Sequence, residues 1–475
     1  MTQIKKGFLD FPKLEHSEAD AKEIMFHRRW HNLCEKYLPV KFEDSIWRYS
    51  RNSKPQEPSQ GWKLHVSATI LEACDLFERV APFLISEDVQ FKAPKSLDEL
   101  SNINCGLQYG YHQVGKFITI YPTSEKQVVC LARKLHELTS EFFVISIPFD
   151  EQYLPESSVF YRYGAFLNME MTDDEGRIFP AIKNPAGELV LDDRLQAVPE
   201  WVFNPFQKDS NAEKSFDDTP LETNYRIFCA ITQRGKGGTY QAVDFSTKTP
   251  RPCIIKEGRR NGELGWNGQD GHFLVKNEFE VLNVLKKKYD AVPQVFDSFE
   301  VFGNFYFAME YVEGKSLNDI MRPRRKRFSV KQILKFALEI TRIIGQIHQA
   351  GWVWNDCKPA NLIVTKDKSL RPIDFEGAYP LNQSEPFSWK TRGFSKVANA
   401  SAKSDGKSDD LYALGAVIYF LLTGRFYDSE NPTAIEKLRR NVPQKLIKTT
   451  EKLLSDFDSD INETEKEFEK ILASI

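Results

Sequence analysis

Nowhere does the chain carry about 18 apolar residues in a row, the length a membrane-spanning helix needs. Its start, MTQIKKGFLDFPKLEHSEAD, has no apolar run fit for a signal peptide. No membrane partner and a cytoplasmic location are the expectation. One-signed charge is also lacking: the net charge of −3 gives no reason to expect nucleic acid. The seven cysteines, Cys34, Cys74, Cys105, Cys130, Cys229, Cys253 and Cys357, are scattered, odd in number and free of any Cys-x-x-Cys or Cys/His cluster. Neither a disulfide frame nor a zinc site is indicated. No internal repeat is visible. What remains is an ordinary globular composition, 41% apolar and 28% charged, with 35 phenylalanines to fill large cores. The 475 residues leave room for roughly two to four domains.

The clearest polar break is NPFQKDSNAEKSFDDTPLET, residues 204–223, which lacks periodicity and reads as a linker. Before it, WKLHVSATI, KFITIYP, FFVISIP and SVFYRYGAF read as strands. Between them SEKQVVCLARKLHELTSEF reads as an amphipathic helix with Val128, Val129, Leu131, Leu135 and Leu138 on its apolar pattern. After the break, YRIFCAITQRGKGGTYQAVDF reads as strand, glycine turn and strand, RPCIIKEG as a strand, FLVKNEFEVLNVLKKKYD as a helix and NFYFAMEYV as a strand. The rest is mostly helical: Ser329 is placed to cap an apolar-periodic helix, and DLYALGAVIYFLLTG ends at Gly424. A small strand-rich lobe followed by a larger helical lobe is predicted.

The second half carries the parts of a phosphoryl-transfer centre in order. Phosphoryl transfer asks a protein to neutralise charge and place oxygens. Gly235, Gly237 and Gly238 in GKGGTY offer backbone that can approach a triphosphate. Lys256 ends the strand CIIK, where it can reach phosphates if a carboxylate holds it, and Glu278 on the next helix is that carboxylate. In NDCKPANLIV, Asp356 can orient and accept a proton from an attacking hydroxyl, with Lys358 beside the transferring group. Asn361, and Asp374 in RPIDFEGA, offer oxygen ligands suited to Mg²⁺.

Over roughly residues 222–475 the sequence resembles the protein-kinase fold. By that resemblance MEYVEG is the hinge that receives a nucleotide base, with Glu310 and Val312 in it, the nucleotide being ATP or GTP, and Asp410 is the helix aspartate that braces the catalytic loop. The chain departs from the family where Trp354 and Asn355 precede the catalytic aspartate in place of histidine and arginine. Asn355 cannot clamp a phosphorylated activation segment, which implies constitutive activity. Glu376 replaces the glycine after Asp-Phe, which implies a less free flip. Tyr240 replaces the third loop glycine, which implies a more rigid cover over the nucleotide. No Ala-Pro-Glu follows. The basic run RPRRKR, residues 322–327, reads as a solvated loop, with grip on an acidic leader peptide as its alternative.

In the first half, alternation puts Lys63 and His65 on one face of a strand. Lys116 starts a second strand and Arg162 lies in a third, so the four make a plausible anion site. A phosphate-bearing side chain can be eliminated there: a base takes the α-proton, an acid protonates the leaving oxygen and cations hold the phosphate. These motifs resemble the phosphothreonine lyases of bacterial effectors and, more closely, QGWKLHVSAT, GKFITIYP and YRYGAF resemble the N-terminal lyase domain of class III lanthipeptide synthetases. The implied fold class is α+β: a phosphothreonine-lyase-like α/β domain at 1–205, a linker at 206–222, and a bilobal protein-kinase-like domain at 223–475, divided into lobes 223–312 and 313–475. The resemblance makes His65 the general acid and Lys116 the base, with Lys63 and Arg162 holding phosphate. His112 and Arg133 are further candidates. It implies an enzyme that phosphorylates Ser or Thr of a ribosomal precursor peptide, leader plus core, and then eliminates phosphate to dehydroalanine or dehydrobutyrine. Family members normally continue into a cyclase domain; here cyclisation is expected from another chain, from a removed segment or without enzyme help. The rival readings are a stand-alone regulatory Ser/Thr kinase with an N-terminal sensor domain, and a non-catalytic peptide-binding scaffold.

Overall fold

The computed structural model describes residues 16–206, 216–322, 328–383, 391–395, 406–455 and 459–475. The fold class is α+β. Helix α1 (His16–Tyr37) precedes seven strands: β1 (Val40–Lys41), β2 (Trp47–Tyr49), β3 (Gln60–Val66), β4 (Gln90–Pro94), β5 (Ile118–Tyr121), β6 (Glu151–Gln152) and β7 (Val159–Ala165). They form one antiparallel sheet in the order β1-β2-β4-β5-β3-β7-β6, so the non-sequential β3 lies near its middle between β5 and β7. Strand alternation then divides β3 in two. Trp62, Leu64 and Val66 join a core with Phe77, Val80 and Leu84 of helix α2 (Ala73–Ser86) and Val128, Leu131 and Leu135 of helix α4 (Glu125–Thr139). Lys63 and His65 are left on the other face. A short helix, α3 (Leu97–Cys105), starts where the Ser96 side chain accepts the Glu99 N–H, and Ser124 caps α4 in the same way. Val129 of α4 is exposed, at the edge of the apolar stripe.

Two local expectations fail. FFVISIP is not a strand: residues 142–148 run as irregular chain, with Ile145 and Ile147 buried and the Ile145 N–H on Ser67 Oγ at 3.3 Å. Its alternation is met by burial under a loop, which the sequence pattern cannot tell from a ladder. Lys116 lies before β5 rather than in it, in a turn where its N–H donates to Gln113 O at 3.1 Å. A separate three-stranded sheet follows, β8 (Glu170–Thr172), β9 (Ile178–Lys183) and β10 (Leu189–Leu191).

After a single-turn helix α5 (Pro220–Thr223), a five-stranded antiparallel sheet comprises β11 (Tyr225–Arg234), β12 (Gly237–Asp244), β13 (Arg251–Gly258), β14 (Val295–Val301) and β15 (Asn304–Glu310), in the order β11-β12-β13-β15-β14. Helix α6 (Gly271–Lys286) begins with Asp270 accepting the Phe273 N–H at 2.9 Å and buries Val275, Val281 and Leu282 against this sheet. The helical lobe is built around Val330–Gln349, opened by a capping box between Ser329 and Gln332, and Lys407–Thr423, which is buried on all sides and ends on Gly424 at φ +73°. The run 323–327, most of RPRRKR, lies outside the described residues.

The two halves are joined by the segment between β13 and α6. Leu264 enters the N-terminal core, and Trp266 lies edge-on to Phe26 with ring centroids 5.7 Å apart. The Arg259 guanidinium sits over the Tyr111 ring at 5.0 Å, and Asn261 Nδ2 donates to Val144 O at 3.2 Å. In the glycine turn, the Gly235 N–H donates to Cys105 O at 3.0 Å, and a Cβ there would lie 1.6 Å from Asn104 O, so only glycine fits.

Candidate functional site

On the N-terminal sheet, Lys63 of β3 lies directly opposite Arg162 of β7. His65 lies opposite Thr119, Thr119 opposite Lys92 of β4, and Lys92 opposite Tyr49. Residues opposite one another share a face, so Lys63, His65, Lys92 and Arg162 converge on one side of the sheet. Asp150, just before β6, ties in the rest: its Oδ2 meets His65 Nδ1 at 2.5 Å and its Oδ1 meets Lys116 Nζ at 3.2 Å. The lysine contact is an ion pair outside hydrogen-bond geometry, leaving Asp150 Oδ1 otherwise unpartnered. Arg162 Nη2 donates to Asp192 Oδ1 at 2.7 Å, and Gly164, two residues on, leaves room for that pair. Arg194 Nη1 donates to His112 Nε2 at 3.1 Å.

Burial acts on the lysines, the histidines and Asp150 here. It pushes Lys63 down to about 7, helped by Arg162, and Lys92 down to about 7, helped by Lys116 and Arg194. It also lowers Lys116, with Asp150 pulling the other way. His65 falls to about 3 because burial and the neighbouring lysines outweigh Asp150, and His112 falls to about 4. Asp150 is held at about 2: burial raises it, but His65 and Lys116 outweigh that. Lys92 touches aromatic rings, with Nζ 4.4 Å from the Trp47 ring centroid, and has no carboxylate partner among the described contacts. Arg133 is exposed on α4 and is not part of this cluster. The sequence reading missed Lys92, Asp150, Asp192 and Arg194. Lys92 had a signal, the alternation in QFKAP; the other three sit in loops that carry none.

Between the kinase lobes, Lys256 Nζ lies 2.9 Å from Glu278 Oε2, 3.1 Å from Asp374 Oδ1 and 3.3 Å from Glu376 Oε1. Burial opposes its charge, yet the three carboxylates hold it well above the ordinary lysine value. Glu278 Oε1 also accepts the Phe375 N–H at 3.1 Å. Glu376 is buried and additionally paired with Lys236 of the glycine turn. Asp356 Oδ2 accepts from Lys358 Nζ at 2.7 Å and Asn361 Nδ2 at 2.8 Å, and Oδ1 from Thr391 Oγ1 at 3.1 Å. Burial and Asp374 push Asp356 up to about 6. Asp410 accepts the Trp354 and Asn355 N–H groups at 2.9 and 2.8 Å and meets His348 Nε2 at 2.8 Å. Trp354 in turn stacks on Phe375 at 5.5 Å and donates its indole N–H to Asp374 O.

Several nucleotide-site candidates are placed differently from the sequence expectation. The Gly235 amide is used on Cys105, and Gly237 and Gly238 lie in the β12–β13 ladder, so the group this turn sends inward is the Lys236 side chain. Tyr240 does not cover the nucleotide cleft: it is on the sheet face opposite Lys256, with its hydroxyl donating to Glu257 Oε2 at 2.7 Å. The Glu310 carboxylate is clamped by Arg371, Nη2 to Oε2 at 2.9 Å, and its N–H donates to Gln294 O at 2.8 Å. Val312 follows in irregular, half-buried chain. Asn361 spends its Nδ2 on Asp356, which leaves its Oδ1 and the Asp374 carboxylate as oxygen donors available to a cation, and the Ile373 N–H on Asn361 O ties the two segments together. These oxygen donors fit Mg²⁺.

Comparison with known proteins matches two parts of the chain to two families. Residues 38–217 match the family "RamC, N-terminal domain", and residues 236–474 match the family "Protein kinase domain". "Probable SapB synthase" of Streptomyces coelicolor is 28% identical over 399 residues, covering 80% of this chain and 41% of that protein. "Serine/threonine-protein kinase F" and "Serine/threonine-protein kinase C" of Synechocystis are 26% and 28% identical, each over less than half of this chain and 43% and 44% of their own lengths. The chain thus spans less than half of each of these relatives. No described helix is long and apolar enough to cross a membrane. By the match over its second half the chain belongs to the protein kinase family, and its two domains follow the order of the class III lanthipeptide synthetases.

Proposed function

We propose that the chain is a two-step dehydratase of a ribosomal precursor peptide. The kinase half transfers a phosphoryl group to a Ser or Thr hydroxyl, and the N-terminal half eliminates it to leave dehydroalanine or dehydrobutyrine. The observation that carries this reading is that His65 and Lys116 meet on one carboxylate, Asp150, beside the Lys63–Arg162 pair, in a chain that also carries the kinase centre.

In the first step Asp356 orients the peptide hydroxyl and takes its proton, with Lys358 beside the reacting oxygens and Lys256 held for the nucleotide phosphates by Glu278. Mg²⁺, when bound by Asn361 and Asp374, neutralises charge on the transferring group; the nucleotide is ATP or GTP. In the second step Lys63 and Arg162 hold the phosphate. A neutral lysine removes the α-proton, the C–H electrons form the new double bond and the C–O bond to phosphate breaks. Lys116 is the base implied by the family resemblance, and Lys92 is a second buried lysine on the same side. The bound phosphate's charge opposes the burial that keeps His65 neutral and draws a proton onto it for the leaving oxygen.

Mass spectrometry of a Ser/Thr precursor peptide treated with chain, nucleotide and Mg²⁺ tests the reading. The parent chain gives product lighter by one water per site, and a His65→Ala chain stops at product heavier by one phosphoryl group. Phosphopeptide as the end product of both would leave only the kinase half.

A further inference from the structure

Across the edge of β7 from the N-terminal site, on the side that Tyr163 takes, lies a cavity of about 500 Å³ between β9, β10 and the loop 192–201. Its apolar walls are Tyr163, Ile182, Val190, Leu191, Pro199 and Trp201. Trp201 stands edge-on to Tyr163 with centroids 5.9 Å apart, and Tyr163 is in turn edge-on to Trp62 of β3. The volume lies within the range of ligand clefts, is open to solvent on one side, and accepts a large side chain. Of its walls, Leu191 and Trp201 are exposed, and so are Leu195 and Phe203 of the adjoining chain, among the described residues. Scattered exposed apolar residues are ordinary; Leu191 and Trp201 differ in lining a concavity.

Two further observations tie this cavity to the chemistry. Asp192 is both a wall of the cavity and the partner of Arg162, so phosphate holder and cavity lie on two sides of one carboxylate. Arg162 donates through Nη2 to Asp192 and Asp193 O and through Nε to Tyr163 O, and its Nη1 has no partner among the described contacts. The charged residues lining the cavity are Asp192, Asp193 and Glu200, all acidic, with neither lysine nor arginine. An anionic phosphate is therefore turned away from the cavity and toward Arg162, while an uncharged apolar side chain of the same peptide is not.

We propose that this cavity is the substrate-selecting subsite of the N-terminal centre, taking a large apolar side chain of a peptide whose phosphorylated Ser or Thr rests on Arg162 and Lys63, and disfavouring acidic ones. The proposal rests on the reading of that centre as a phosphopeptide site. It deepens that reading by naming a substrate class: phosphopeptides with an aromatic or large aliphatic residue at one fixed spacing from the phosphate.

The test uses the full chain and synthetic phosphoserine peptides of glycine and alanine, with Phe, Glu or Gly placed at successive positions on either side of the phosphoserine. Elimination is followed by mass and binding by fluorescence anisotropy. Phe at one position is expected to raise kcat/KM about tenfold or more over Gly, the scale of burying one such side chain, and Glu there to lower it. Leu191→Asp and Trp201→Ala, both at exposed positions, are expected to erase the Phe preference while leaving elimination from the glycine peptide unchanged. Elimination at equal rates from every peptide, or a Phe preference that survives both substitutions, would overturn the subsite while leaving the lyase reading intact. Binding that shows the Phe preference without any elimination would support the subsite and overturn the lyase chemistry.

Discussion

On the N-terminal sheet four cations, Lys63, Lys92, Lys116 and Arg162, share a face with two carboxylates, Asp150 and Asp192. Between the kinase lobes the ratio is reversed, with Lys256 within 3.3 Å of three carboxylates, Glu278, Asp374 and Glu376. Both sets are largely buried, so the same desolvation acts on both. Its outcome differs because the neighbours differ. Lys63 and Lys92 fall to about 7, where a neutral amine is available, whereas Lys256 is locked as a cation well above its ordinary value. Among the described residues cations outnumber carboxylates at the first site and carboxylates outnumber cations at the second, the complement that the proposed phosphate-expelling and metal–nucleotide roles call for.

The comparison breaks most sharply if the centres are not separable. Asp356→Asn is expected to cut phosphorylation by about 10²–10⁴, the worth of a general base, while elimination from a chemically phosphorylated peptide is unchanged. His65→Ala is the mirror, lowering elimination by a similar ~10²–10⁴ with phosphorylation intact. Loss of both activities in either variant would mean one shared centre. A smaller effect separates the lysines: Lys92→Ala and Lys116→Ala are compared for phosphopeptide accumulation, and the base is the residue whose loss stops elimination without weakening phosphopeptide binding.

Both activities should fall toward acid. With Lys92 as the base, its amine, lowered to about 7, is neutral above that pH, so elimination should rise as pH increases through about 7; Lys116 as the base, lowered by burial, gives the same direction of change. Asp356, raised to about 6, loses its carboxylate form as pH falls, so phosphorylation should decline below about 6. Gly235→Ala places a Cβ 1.6 Å from Asn104 O at the junction of the halves and should destabilise the chain by about 1–3 kcal/mol, the usual result of overpacking, read as a lower denaturation midpoint. Arg133→Ala, on the exposed face of α4, should change stability by no more than about 0.5 kcal/mol and neither activity.

Much of the site was legible because local patterns carry it. Lys63 and His65 two apart on a strand, and Asp356, Lys358 and Asn361 on one short loop, are brought together by backbone geometry of their own. Lys92 was legible in principle but lacked a motif. Asp150 and Asp192 were not legible, because their roles come from loops that return to the sheet edge long after the residues they meet. Tyr240 misled because its place in a glycine-rich pattern says nothing of which sheet face it takes. FFVISIP misled because burial under a loop and burial in a sheet leave the same alternation.

The sequence alone determined the elements with strong period or caps, the order of the two halves, and the local groups of reacting side chains, since these depend on neighbours within a few positions. Tertiary structure decided the charge state of each lysine and the partners of each carboxylate. It also decided the Gly235 contact between the halves and the cavity beside Arg162. Those depend on which distant groups desolvate or face one another, and a linear pattern does not encode that distance.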